Sequence, residues 1–231
     1  DRDGALRLLR VIKHRFGATD RVGMFRMTKR GIESLDDPSG LLLADRQAGV
    51  PGSAVVAVLE GHRPVLVEVQ ALVSPRPAGS GGFGTRTVTG LVPRRIDLIL
   101  AVLAQRAQLD LSSADVFVSV AAGPSVREPA ADLAIAAAVV SSATLRAVPG
   151  DVMMLGEVGL TGELRSVPEP SRRISEAARL GFSRIVAPRD RSVRPAGGEV
   201  EWARSARLQQ VATLGEAMHA MSLQDAGLRA V

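Results

Sequence analysis

The run from Leu133 to Leu145 (LAIAAAVVSSATL) carries no charge on any face. A helix without a polar stripe is stable only where apolar neighbours meet it all round. It is also too short to cross a bilayer, which takes about 20 apolar residues. The run therefore predicts a buried core helix, and a chain of 231 residues at 46% hydrophobic has material for one or two globular cores around it. No other uncharged stretch approaches the length of a membrane span, so no membrane partner is expected.

The chain opens on Asp1-Arg2-Asp3, with neither an apolar leader nor an initiator Met, and reads as a piece of a longer protein. It has no cysteine, which excludes disulfides, thiol nucleophiles and a zinc ribbon within it and fits a cytoplasmic setting. The pI near 10.9 overstates its basicity, because with two Lys and no Tyr or Cys almost nothing titrates between His and Arg. The net charge of +5 permits a nucleic-acid partner without requiring one.

Periodicity places the elements. Leu6, Leu8, Leu9 and Ile12 suggest a short amphipathic helix from Ala5 to Ile12, followed by strand-like runs at Val22 to Met27 and Gly31 to Leu35. This piece is too small for a core of its own and reads as the trailing edge of a larger domain. Asp36 to Gly52, rich in Pro, Gly and Asp, reads as a linker. A strand pair follows, Ser53 to Leu59 and Val65 to Val73, then a loop from Ser74 to Gly84. Helices are expected from Pro93, from Pro129 and over Pro170 to Leu180, where Gly181 supplies the stop. Strands are expected at Asp115 to Val120, Val152 to Val158 and Arg184 to Ala187, a turn at Thr161-Gly162, and a last helix at Leu214 to Met221. The class is α/β (α+β), with helices on a mixed sheet.

Catalytic constellations are missing. A phosphate-binding loop needs a lysine after a glycine, but the two lysines, Lys13 and Lys29, follow Ile12 and Thr28. A Ser-Lys peptidase needs a lysine that can lose its proton; none occurs after Lys29, and an arginine stays protonated at any working pH. His62 and His219 lie in no nucleophile context, and three scattered histidines make no metal site.

Lys13-His14-Arg15-Phe16-Gly17 resembles the Lys-Asn-Arg-Phe-Gly signature of the RadA/Sms family, RecA-related ATPases of bacterial recombinational repair. The likeness continues through Gly52 to Ala57, Leu66 to Val73, Asp97 to Leu103, Glu128 to Ala134 and Gly156 to Glu163. The family layout is a zinc finger, a RecA-like ATPase core and a Lon-protease-like domain of ribosomal-S5-domain-2-like fold. The resemblance implies that residues 1–38 are the end of the ATPase core, 39–52 a linker and 53–231 the Lon-like domain. The family has Asn where His14 stands. The peptidase motif Gly-Pro-Ser-Ala-Gly falls on Glu128-Pro129-Ala130-Ala131-Asp132, so the nucleophile position is Ala130 and the dyad lysine falls at about Ser171.

By the residues alone, Lys13 and Arg15 read first as the solvated end of a helix; the resemblance implies instead that they reach a neighbouring subunit's nucleotide, as an arginine finger does. Arg76, Arg86, Arg94 and Arg95 flank a loop and a helix start and are candidates for duplex phosphates, or else plain surface arginines. A second group, Arg172, Arg173, Arg179 and Arg184, reads as a solvated face or subunit contact, with Ile174 and Ala177–Ala178 turned inward. Asp132 is expected to be structural, at a helix N-terminus. The expected function is a non-proteolytic platform that supports hexamer assembly and sequence-independent duplex binding for branch migration; the alternative is an oligomerisation scaffold without DNA contact. No ATPase or peptidase activity is expected from this chain alone. ATP, Mg and a zinc-finger Zn are expected for the full-length DNA-dependent ATPase, with duplex and branched DNA, further copies of the chain and the recombinase RecA as partners.

Overall fold

The structure, a computed structural model, describes residues 2–3, 6–10, 15, 22–76, 82–190, 193, 201–221 and 223. The chain opens with a four-stranded antiparallel sheet of β1 (Arg2–Asp3), β2 (Leu6–Arg10), β3 (Val22–Thr28) and β4 (Gly31–Ser34). The helix expected from Ala5 is thus a strand at Leu6–Arg10. Its Leu8 sits opposite Met24, which is 2% exposed, and a short apolar run takes its form from the strand that pairs it.

The segment read as a linker holds a five-residue helix, α1 (Pro38–Leu42), docked on the domain. Asp37 caps it by accepting from the Gly40 N–H at 3.1 Å, and Pro38 occupies the first turn. Ser39 is fully buried, donating to Glu176 at 2.9 Å and accepting from the Leu66 N–H at 3.1 Å. Composition alone misses this helix because its stability comes from those contacts.

The main body is a seven-stranded mixed sheet. Its strands are β5 (Ser53–Glu60), β6 (Arg63–Ser74), β7 (Arg86–Thr89), β8 (Asp115–Val120), β9 (Val152–Met154), β12 (Arg184–Pro188) and β13 (Arg207–Val211), in spatial order β13-β12-β9-β5-β6-β8-β7. A separate ribbon pairs β10 (Glu157–Val158) with β11 (Leu164–Arg165). β5 and β6 form a hairpin closed by Gly61-His62, with Gly61 at the positive φ that two-residue turns require. The expected strand Val152 to Val158 is broken at Gly156 (φ 148°), and β7 and β13 carry too little alternation to be read from sequence.

α2 (Pro93–Arg106) and α3 (Asp132–Thr144), entered through a short 3-10 turn at Pro129–Ala131, cover one face of the sheet. α3 contains most of the uncharged run and is buried from Asp132 through Ser142. Its two serines are satisfied by strand ends: Ser141 accepts from the Gly52 N–H and Ser142 from the Val73 N–H, both at 2.9 Å. α5 (Leu214–Ala220) adds Leu214, Ala217 and Met218 to the same core. α4 (Pro170–Arg179) packs Ile174 and Ala177 on the opposite face, with Phe182 and Trp202, against Val55, Leu66 and Ile185. The result is an α/β sandwich of helix, mixed sheet and helix. Among the described residues no helix is long and apolar enough to cross a membrane.

Candidate functional site

Two corners of the sandwich hold the residues singled out by the sequence. The first surrounds the start of α2. Arg95 turns under the helix and grips Asp132 with both Nε (2.7 Å) and Nη2, while Asp132 also accepts from the Val158 N–H at 3.1 Å. The Asp132 side chain is wholly buried. Burial pushes its carboxyl up, against the downward pull of the Arg95 and Val158 donors. Arg95 thus ties α2 to α3 and the ribbon. Arg86 is likewise turned inward, donating to the carbonyls of Ala114 (2.6 Å) and Leu111 (2.8 Å). Arg76 closes its own loop on the Phe83 carbonyl at 3.0 Å. Of the four arginines expected at phosphate, Arg94 alone is exposed without a partner among the described residues, and Arg127, on the loop that bonds back to Gly90, shares that state. Arginines near a helix start look alike in sequence; which of them finds an internal acceptor is settled by packing.

The second corner is the turn at Pro129-Ala130. Ala130 is 1% exposed and has no hydroxyl. Ser171, at the expected lysine position, is exposed on the outside of α4. The side chain that reaches the turn is Arg173. It is wholly buried, contrary to the expectation that it shares a solvated face with Arg172 and Arg179. Its Nη1 and Nη2 hold the two oxygens of Glu128 at 2.8 and 2.6 Å, Nη1 also donates to the Ala57 carbonyl at 2.6 Å, and Nε to the Pro168 carbonyl at 2.9 Å. Glu128 accepts in addition from the Leu59 N–H at 2.7 Å. The planar five-donor fork makes all four of these bonds at once, holding both carboxylate oxygens and two carbonyls, whereas a lysine has three donors. Where a Ser-Lys dyad needs a hydroxyl and an amine, this corner presents the Ala130 methyl group, the Glu128 carboxylate and the Arg173 guanidinium.

The rest of the second arginine group is paired at the surface: Arg172 with Glu169, Arg179 with Glu176 and Asp37, and Arg184 with Asp151. His62 pairs with Glu169, a surface contact beside the hairpin turn. Lys13 lies outside the described residues, and Arg15 is exposed.

Residues 94–191 match the family model for subunit ChlI of Mg-chelatase. The chain is 45% identical over 200 residues to the DNA repair protein RadA of Mycolicibacterium smegmatis, covering 87% of this chain and 42% of that protein. It is 41% identical over 208 residues to the RadA of Pseudomonas aeruginosa and 40% identical over 221 residues to that of Brucella abortus, in each case covering 45% of the relative. The chain belongs to the RadA/Sms family.

It spans less than half the length of the curated RadA relatives it matches. The stretch shared with the ChlI model contains no lysine, so it holds no phosphate-binding loop. In this RadA/Sms chain the two corners are braces: each uses an arginine–carboxylate pair with one wholly buried member, Asp132 in the first and Arg173 in the second, to join a helix to the strand or turn beneath it.

Proposed function

We propose that this chain is a non-proteolytic Lon-like platform, of ribosomal-S5-domain-2-like fold, in a RadA-type DNA repair and recombination ATPase. It supports assembly of a hexamer and binds duplex DNA without sequence preference during branch migration. The observation that carries the reading is the closed corner at Ala130, where the Glu128–Arg173 brace stands in a member of a DNA repair family. Around the start of α2, among the described residues, Arg94 and Arg127 are exposed cations available to phosphate; Arg86 and Arg95 already serve the fold.

The domain reading, in which residues 1–38 finish a RecA-like core, draws support from the first sheet. Leu9 and Ile32 (both 63% exposed) and Met27 (43%) share the sheet face opposite Met24 and Leu8, an apolar surface suited to further structure. Lys13 and Arg15 would then approach a neighbouring subunit's nucleotide. ATP, Mg and Zn do not fit the residues here. The chain has no phosphate loop and no cysteine, and no three metal-ligating side chains cluster among the described residues. Those groups belong to the upstream ATPase core and zinc finger of the longer protein, where RecA is its expected partner.

The scaffold reading without DNA contact is favoured by Phe83, Leu145 and Leu160, apolar side chains 71–89% exposed. Salt titration separates the two. Anisotropy of a labelled duplex should give log affinity falling linearly with log salt, and Arg94→Ala should reduce the slope by about 0.9, one phosphate's worth. A chain that binds no duplex at low salt would leave the scaffold reading standing.

A further inference from the structure

The helices do not cover the sheet evenly. On the α4 side, α4 and Trp202 lie over β5, β9 and β12, but β6 beyond Leu66, together with β8 and β7, is bare and concave. The segment from Asp45 to Gly52 walls this area into a pocket of about 570 Å³, within the range of ligand sites.

Its floor has a definite chemistry. Strand alternation brings Ser53, Glu68, Gln70, Thr87, Thr89 and Ser119 to one face. Glu68 is 4% exposed. One of its oxygens accepts from the Ser53 hydroxyl and the other from Gln70 Nε2 at 3.2 Å, so the carboxylate is held by two neutral donors. Among the described residues no cation makes an ion pair with it. Arg46 feels its charge but directs its own guanidinium to the Gly150 carbonyl at 2.9 Å and over the Phe182 ring, outside the pocket. The other ionisable group lining the cavity is Asp45, so on a chain of net charge +5 the cavity presents only acids. Further along the same face, beyond Gln70, stand Leu72 (59% exposed) and, opposite it on β8, Phe117 (39%), apolar surface in contact with water.

A buried carboxylate is ordinarily paired with a cation, and this one retains acceptor capacity after its two hydrogen bonds. We propose that the pocket binds an organic cation: a guanidinium or alkylammonium group on an apolar stem, with the head at Glu68 and the stem across Leu72 and Phe117. An anion meets two carboxylates and no cation in the cavity lining, and a purely apolar ligand would leave Glu68 without an ion-pair contact. Thr87, Thr89 and Ser119 supply hydroxyls to the remaining N–H groups of the head.

The test is NMR titration of the chain with N-acetyl-arginine methylamide, with its neutral citrulline isostere and with spermidine. Saturable shifts of the Ser53, Gln70, Thr89 and Ser119 amides are expected with the arginine derivative or spermidine, at least tenfold weaker with citrulline and in Glu68→Gln. Tighter binding of the arginine derivative marks a polypeptide side chain as the occupant, and tighter binding of spermidine marks a free polyamine. Thr87→Arg, at an exposed position, places an internal cation in the cavity and should abolish binding while the melting temperature holds. Equal response to arginine and citrulline, indifference to Glu68→Gln and Thr87→Arg, or no saturation at millimolar ligand would overturn the proposal.

Discussion

Replacing Arg173 by Met keeps most of the side-chain volume and removes every donor of the brace. The Glu128 carboxylate then retains only the Leu59 N–H, and the Ala57 and Pro168 carbonyls lose a partner each. Removing one member of a buried ion pair costs about 3–5 kcal/mol. The Glu128 side chain is 25% exposed, so water can recover part of its solvation and the lower end, about 3 kcal/mol, is expected. For a domain of this length that lowers the melting temperature by about 6–12 °C. Removing both charges in Glu128→Gln/Arg173→Met should cost only about 1–2 kcal/mol, because no bare carboxylate is left behind. Thermal and urea melts of the wild type, both single variants and the double variant close a cycle that isolates the pair. A loss below about 1 kcal/mol for Arg173→Met, or a double variant as unstable as the summed singles, would refute the view that this corner is a brace.

At the α2–α3 corner, Arg95→Ala strands a wholly buried Asp132 on the Val158 N–H, and urea melts should show a loss of about 2–3 kcal/mol. Glu163 is held down to about 2 by the Thr161 hydroxyl, by backbone N–H donation and by Arg165. A carboxyl depressed in the folded state adds stability above its ordinary value of 4.5 that is lost as pH falls toward 2. Melting temperatures of Glu163→Gln should therefore fall less steeply than those of the wild type between those pH values, and parallel curves would count against the assignment.

What sequence settles here is local or negative. An uncharged alanine-rich run has to be a buried helix, prolines start α2, α3's entry turn and α4, and Gly181 stops α4, because each of these is a matter of one segment's own chemistry. The missing lysines exclude a phosphate loop and a Ser-Lys dyad whatever the fold. Tertiary structure decided the rest. It made Leu6–Arg10 a strand by supplying β3, and it docked α1 through Ser39. It also turned Arg95 and Arg173 inward while leaving Arg94 and Arg172 outside, though all four are arginines at helix starts. The reason is that a guanidinium goes where acceptors converge, and acceptors converge from residues far apart in the chain: Asp132 for Arg95, and Ala57 with Glu128 for Arg173. Glu68 is not legible as a site for the same reason, since its strand gives no sign that the neighbouring face lies open.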